Sequence, residues 1–349
     1  MASMFPAELG YRMPAEWHRH AATWLTWPKD PETWPARVPQ VEKIFLRMIE
    51  ALIPHEIVNL LVDDNETADA IIERRALSAP NNLRFHQVKT VDAWIRDYGP
   101  NFLLGAEGLG YNDWIFNAWG NKYEELKRDD AVTNLLRPLL SARRFEPGIV
   151  MEGGSIEVNG DGCVLTTEQC LLNPNRNPNL TRSEIEQYLK NYLGVTKVLW
   201  LGEGIVGDDT DGHIDDIARF VASDVILCAL EDDPTDPNYK LLQDNLARLK
   251  RMTNAHNRPF EIITIPMPGV VAGTATENRK LERLPASYAN FYIANNVVLV
   301  PVFGHTNDDA ALEILMRLFP QRTVVPINCE PLVWGMGTIH CVTQQQPAP

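Results

Sequence analysis

The sequence is short of cysteine, of basic charge and of long apolar runs. Its five cysteines, Cys163, Cys170, Cys228, Cys329 and Cys341, are odd in number and irregularly spaced, with no Cys-x-x-Cys pair. Disulfides and a structural zinc site are therefore not expected, and a reducing cytoplasm fits. No stretch approaches 18 apolar residues, so no membrane span is expected. The opening MASMFPAELGYRMPAEW has no basic region ahead of an apolar run and no small-residue cleavage site, so it does not read as a secretion signal. Against 46 acidic residues there are only 32 basic ones, a net charge of -14. Such a chain repels nucleic acid and anionic membranes, and its field favours cationic ligands. Acidity of this size also serves plain solubility.

What is present is a chain of 349 residues, 45% hydrophobic and 22% charged, as expected of a globular protein with a substantial core. Three stretches repeat one order of elements. SIEV and CVLTT flank the turn NGDG, followed by the helical pattern TRSEIEQYLKNYLG and the short strand KVLWL. HIDDIARFV and VILCAL precede the helix YKLLQDNLARLKRM and the strand EIITIPM. YANFYIA and VVLVPVFG precede NDDAALEILMRLF and TVVPINC. The strands are read from β-branched and aromatic runs bounded by Asn, Asp and Gly, the helices from apolar residues three and four apart.

A looser copy lies earlier, where AWIRDYGPNFLL pairs with GYNDWIFNAW before the helix DDAVTNLLRPLLSA and the strand RFEPGIV. Two helix-strand units precede it, VEKIFLRMIEALI with EIVNLLVD and ETADAIIERRAL with LRFHQV. The final TIHCVTQQ is half a hairpin, expected to pair with AATWLTWP near the start. A hairpin, helix and strand repeated about every 60 residues suggests blades around an axis, one of them closed by both termini. No linker interrupts the pattern, and a single domain, 1–349, is expected.

The first strand of each predicted hairpin carries, or closely follows, a polar residue at the same place in the repeat: Asp97, Glu152, His213 with Asp215, Asn290 and Cys341. Around an axis these side chains would converge, and buried carboxylates are costly unless paired or used. On a strand, His213 and Asp215 would share a face, whereas His340 and Cys341 would point to opposite faces. That argues against one metal held by all four. Cys341 is then the inward candidate and His340 is expected to pack under the sheet.

Cys163 and Cys228 are expected in the core, as are Cys170 and Cys329. Asp209 and Asp216 are expected to be solvated or capping, and EDDPTDP to be a surface loop with a helix start. WLTWPKDPETWP is either a packed loop or a wall above a pocket, with Asp30 open to a cation. In LNPNRNP, Arg176 either holds a substrate carboxylate or braces the loop. EDDPTDP and TATENRK are candidate interface loops for a homo-oligomer.

These residues resemble a known family, that of agmatine deiminase and the bacterial peptidylarginine deiminases, within the guanidine-modifying pentein superfamily. The matching stretches are WPKDPETWP, DAWIRDYGPNF, EGGSIEVNGDG, CLLNPNRNP, DDTDGHIDD, RLPASYANFYIAN and GMGTIHCVTQQQP, in the family's order across nearly the whole chain. The resemblance implies a five-bladed α/β propeller of ββαβ modules. It also implies Cys341 as nucleophile, His213 as general acid and base, Asp97 and Asp215 as guanidinium-binding carboxylates, and Glu152 as the group orienting the histidine. Trp94 would line the substrate's aliphatic stem and Asn290 is a further contact. No metal or organic cofactor is implied.

The chemistry suits these residue types. A guanidinium is planar and permanently charged, and its N–H groups match carboxylates bidentately. A thiolate attacks the central carbon, a histidine protonates departing ammonia, and the same histidine then activates water. Agmatine ends in an amine and needs an acidic tail site, for which Asp30 or Glu203 would serve. Free or peptidyl arginine would need a cation such as Arg176. An amidinotransferase shares the covalent intermediate, and a polyamine-binding propeller is the non-enzymatic alternative.

Overall fold

The computed structural model describes residues 4–73, 80–273 and 283–349. Among these, sixteen strands form five sheets. Four sheets have three strands in chain order: β4 (Asn101–Gly105), β5 (Gly108–Asn112) and β6 (Arg143–Phe145); β7 (Glu157–Val158), β8 (Cys163–Thr167) and β9 (Lys197–Leu201); β10 (Ala218–Ala222), β11 (Val225–Leu230) and β12 (Glu261–Pro266); and β13 (Tyr292–Ala294), β14 (Val297–Val302) and β15 (Thr323–Asn328). In each, the first pair is antiparallel and the second parallel. A hairpin needs only a tight turn, whereas the parallel partner needs a crossover, which carries the helix.

The fifth sheet closes the ring as a five-bladed α/β propeller. The C-terminal β16 (Gln344–Pro347) pairs antiparallel with β1 (His20–Thr26), which runs parallel to β2 (Ile57–Val62), itself parallel to β3 (Leu83–Gln87). The expected pairing of TIHCVTQQ with AATWLTWP is thus found, with Thr23 opposite Gln345 and Trp24 opposite Gln344.

The crossover helices form where the apolar spacing places them. Helix Val38–Leu52 buries Val41, Ile44, Phe45, Met48, Ile49 and Leu52, one stripe at three- and four-residue spacing. Burying each such side chain fully contributes roughly 1.5–3 kcal/mol. Helix Arg182–Leu193 starts at a capping box of Thr181 and Glu184 and stops at Gly194, whose φ of 67° suits glycine. Helix Pro237–Leu249 is capped by Asp236, so EDDPTDP is a surface loop with a helix start. The earlier copy is less regular: DDAVTNLLRPLLSA yields only a 3-10 turn, Glu125–Ala131, and a short helix, Val132–Leu136. TATENRK lies outside the described residues, as does the end of ETADAIIERRAL beyond Glu73.

One expectation about the axis needs correction. The polar residues do not sit on the first strands but in the turns that lead into them. Asp97 is in the short helix Ile95–Tyr98, Glu152 precedes the 3-10 turn Gly153–Ser155, and His213 precedes the 3-10 turn Ile214–Asp216. Asn290 lies in the turn before β13 and Cys341 in the turn before β16. The strands are short because their leading residues spend their backbone and side-chain bonds on neighbouring turns. His340 N, for example, donates to both the carbonyl and the Oδ1 of Asn290 rather than to a strand ladder.

Candidate active site

Five turns, one ahead of the first strand of each sheet, meet at one buried point. Gly154 marks its centre. A Cβ there would fall 2.6 Å from His213 Nδ1, 2.9 Å from Asp97 Oδ1 and 3.1 Å from Asp215 Oδ2. Only a residue without a side chain lets these three groups share that space. Gly337 plays the same part beside the sulfur, where a Cβ would lie 2.7 Å from the Trp94 ring and 3.2 Å from Cys341 Sγ. Trp94 therefore lies against Gly337, at the wall of the site, and its ring packs at 5.5 Å, tilted by 40°, on Trp34 of the tryptophan-rich loop.

Cys341 is 7% exposed, and its sulfur lies 3.2 Å from Asn290 Nδ2 and 3.8 Å from Asp215 Oδ2. Asn290 also accepts from Thr338 Oγ1 (2.7 Å) and His340 N (3.0 Å), so it shapes the turn that carries the cysteine. Asp97 accepts from Gly154 N and from Trp119 Nε1, both at 2.9 Å. Trp119 was not singled out from the sequence. It sits in a left-handed turn, with Ala118, Trp119 and Asn121 all at positive φ, a backbone that costs free energy for residues with side chains. Asn117 Oδ1 caps that turn on Gly120 N.

His213 and Glu152 are both fully buried, with His213 Nε2 4.0 Å from Glu152 Oε2 and neither atom hydrogen-bonded. Asp215 Oδ1 likewise has no partner. Buried polar atoms without a partner are rare and point to a functional role.

Arg176 is a correction to one reading. Its guanidinium donates to Glu152 Oε1 (2.6 Å), Asp211 Oδ2 (2.6 Å), Asn175 Oδ1 (2.8 Å) and the Thr210 carbonyl (2.8 Å). The fork is spent inside the protein, so it braces Glu152 and the His213 loop and is not offered to a substrate carboxylate. Asp30 is half-buried and caps its own loop through Glu32 N (2.9 Å). Glu203 is exposed.

Asp216 is a second correction. It is 3% exposed rather than solvated, and burial, then Asp215 and Asp208, push its carboxyl well above the usual range. Asp209 is half-buried and accepts from the Tyr123 hydroxyl. His340 is the third. Residues 339–342 form a turn, so the strand rule that placed His340 and Cys341 on opposite faces does not apply. His340 Nδ1 and Cys341 Sγ both approach Asp215 Oδ2, at 2.6 and 3.8 Å. Among the described residues, Glu152, Cys170 and His213 bring ligand-type atoms within 4.8 Å of one another, with Arg176 already paired to that glutamate.

Electrostatics divide Asp97 from Asp215. Burial, then Asp215 and Glu152, push Asp97 well above the ordinary range. Burial would raise Asp215 too, but the hydrogen bond and charge of His340 hold it below its ordinary value. Burial depresses His213 to about 3 and, helped by Asp215, Asp216 and Asp97, pushes the Cys341 thiol far up. Burial raises Glu152 against the pull of Arg176. These directions give a thiol and a neutral imidazole among carboxyls, a field that favours a cation.

Comparison with known proteins agrees with this geometry. Residues 12–347 match the model of the Porphyromonas-type peptidyl-arginine deiminase family. A Legionella pneumophila (strain Paris) relative is 39% identical over 345 residues, 98% of this chain and 97% of its own. The agmatine deiminase of Stutzerimonas stutzeri is 38% identical, over 99% of this chain and 97% of its own. The solved agmatine deiminase of Enterococcus faecalis superposes with a TM-score of 0.91 at 34% identity, covering 100% of this chain and 99% of that one.

Proposed function

Since the chain belongs to the Porphyromonas-type peptidyl-arginine deiminase family, we propose that it hydrolyses agmatine to N-carbamoylputrescine and ammonia through a covalent bond to Cys341. The observation that carries this reading is the meeting of Cys341, His213, Asp97 and Asp215 around Gly154 and Gly337, a buried thiol and imidazole beside two carboxyls. The relatives named above as agmatine deiminases support the substrate.

Asp97 and Asp215 hold the guanidinium plane, and the bound positive charge favours ionisation of both the raised Asp97 and the raised Cys341 thiol. Cys341 Sγ attacks the central carbon, and the thiol proton passes to His213. The tetrahedral intermediate expels ammonia as His213 returns that proton, leaving an S-alkylthiouronium. Neutral His213 then takes a proton from water, whose oxygen attacks the same carbon. The C–S bond breaks, the hydroxyl proton of the intermediate is released and is taken up by the departed ammonia as ammonium, the neutral ureido product forms, and the sulfur recovers a proton from His213. Glu152, braced by Arg176, orients His213 and steadies its charged form. Trp94 covers the aliphatic stem.

Agmatine is favoured over free or peptidyl arginine because Arg176 is occupied, while Asp30 on the tryptophan-rich loop offers a carboxylate to a tail amine. The five blades act as one catalytic domain, with a small cationic guanidine as partner, no nucleic acid and no membrane, and a homo-oligomer is compatible with the chain's exposed loops. No helix among the described residues is long and apolar enough to cross a membrane. We place the enzyme in the cytoplasm.

The test is ammonia release from agmatine, free arginine and a peptide ending in arginine, with wild type and Cys341→Ala. Release from agmatine that the variant loses is expected. Release only from an arginine compound would move the substrate, and ammonia from none would remove the hydrolase in favour of an amidinotransferase or a binding protein.

A further inference from the structure

The ring of His340 is 1% exposed. Its Nδ1 is 2.6 Å from Asp215 Oδ2 and its Nε2 is 2.8 Å from Glu16 Oε2. A neutral imidazole has one N–H and would set its other nitrogen lone pair against a carboxylate oxygen. Only the doubly protonated ring donates to both.

Glu16 is itself clamped. Its Oε1 accepts from Arg219 Nη2 (2.9 Å) and from Ile293 N (2.7 Å), and Arg96 Nη2 stands 3.5 Å from Oε2. Burial alone would raise this carboxyl, yet Arg219, His340 and Arg96 carry it far below its ordinary range. Arg219 in turn lies 3.0 Å from Glu157 Oε2 and donates to the carbonyls of Phe291 (2.6 Å) and Ala289 (3.2 Å). Arg96 Nε also reaches the carbonyl of His340 (3.2 Å). The result is a buried pillar joining the N-terminal segment, three sheets and the cysteine turn.

We infer that His340 is a positioning residue for the reaction. Held by Glu16, it is the fixed cation that keeps Asp215 anionic and turned toward Cys341 for guanidinium capture. The inference rests on the deiminase reading above. It assigns different duties to the two carboxylates. Asp215 is held by His340 through one oxygen and has a second, Oδ1, with no partner, so it supplies charge to an arriving guanidinium. Asp97 has only the neutral donors Trp119 Nε1 and Gly154 N, so it becomes fully anionic only when the substrate's own charge arrives.

His340→Asn separates this role from packing. The asparagine Nδ2 falls where the imidazole Nδ1 was and keeps a hydrogen bond to Asp215, but the positive charge and the Glu16 contact go. Steady-state ammonia release from agmatine is measured for wild type, His340→Asn and Glu16→Gln, with melting temperature beside it. In a Cys341→Ser background, calorimetry gives the agmatine Kd with and without His340→Asn. The expected result is a rise of about tenfold or more in KM and in Kd, with a smaller change in kcat. Glu16→Gln moves KM the same way by about threefold and serves alone if His340→Asn does not fold. A folded variant with KM and Kd within about twofold of the parent and only a lower melting temperature makes His340 merely structural and overturns the inference. A wild type that releases no ammonia from agmatine removes the deiminase reading and this inference with it. An active wild type beside an unaffected variant removes the inference alone.

Discussion

Two groups of buried charges lie back to back where the five turns meet, sharing Asp215 between them. Below it, Glu16 takes Arg219, His340 and a backbone N–H, and Arg219 spans Glu16, Glu157 and two carbonyls. Above it, Glu152 Oε2, His213 Nε2 and Asp215 Oδ1 have no partner, and Asp97 is served only by neutral donors. The same residue types, at similar burial, thus take opposite electrostatic states. Glu16 is far below its ordinary pKa, whereas Asp97 is far above. The lower group is ion-paired within the protein, although Arg219 Nε, 3.0 Å from Glu157 Oε2, makes no hydrogen bond, and it gives rigidity. In the proposed reading the bound guanidinium completes the upper group, where reactivity resides.

The sharpest way to break this contrast is to remove the sulfur. Cys341→Ala is expected to lower ammonia release from agmatine by at least about 10⁴-fold, as loss of a covalent nucleophile does, with little change in melting temperature. Loss of stability with retained turnover would place the chemistry elsewhere.

Next in size is stability. Glu16→Gln leaves Arg219 and His340 short of charge and is expected to destabilise by about 3–5 kcal/mol in denaturant unfolding. Asp97→Asn relieves a carboxyl that must hold its proton when buried, so it should be stable to within about 1 kcal/mol of wild type, or more stable. It should nonetheless lose most activity. If Asp97→Asn unfolded more easily than Glu16→Gln, the division between the lower and upper groups would be wrong.

Acid sharpens the comparison further. His213, ordinarily near 6.5, titrates at about 3 when folded. Between those values the unfolded histidine binds a proton that the folded one refuses, so its effect is to lower stability as pH falls from about 6.5 toward 3, with none lost above 6.5. Asp97 acts in the other direction, since its folded carboxyl keeps a proton that the unfolded one releases. His213→Gln should therefore flatten the acid-side decline in melting temperature, and an unchanged decline would show that His213 is charged in the folded protein. The smallest expected effect is at Asp30. Asp30→Asn should raise the KM for agmatine by about two- to fivefold with kcat unchanged, in line with a half-exposed ion pair. No change would move the tail amine to another partner.

Much of the fold was legible because its signals are local. Ile185, Leu189, Tyr192 and Leu193 mark a helical stripe, Thr181 and Glu184 cap it, and the recurrence of hairpin, helix and strand identifies the blades. Asp97, Glu152, His213, Asp215, Asn290 and Cys341 were picked out by the same recurrence and do meet. Trp119, Glu16 and Arg219 escaped. A tryptophan after an apolar run reads as core, and its donation to Asp97 depends on a left-handed turn that no periodicity announces. Glu16 is one of two acids in a proline-containing N-terminal stretch, and only closure of the ring sets it 2.8 Å from a histidine 324 residues later.

The amino-acid sequence by itself therefore determined the modules, their order and the residue types brought to the axis, because helix stripes, caps and strand alternation act over a few residues. Which of those residues face one another was decided by the tertiary structure. The strand rule sent His340 away from Cys341, but turns leading into short strands obey no twofold alternation, and both side chains reach Asp215. Charge state was decided there too. Whether a carboxylate is paired or left waiting depends on partners hundreds of residues distant and on how completely water is excluded, and neither is a local property of the chain.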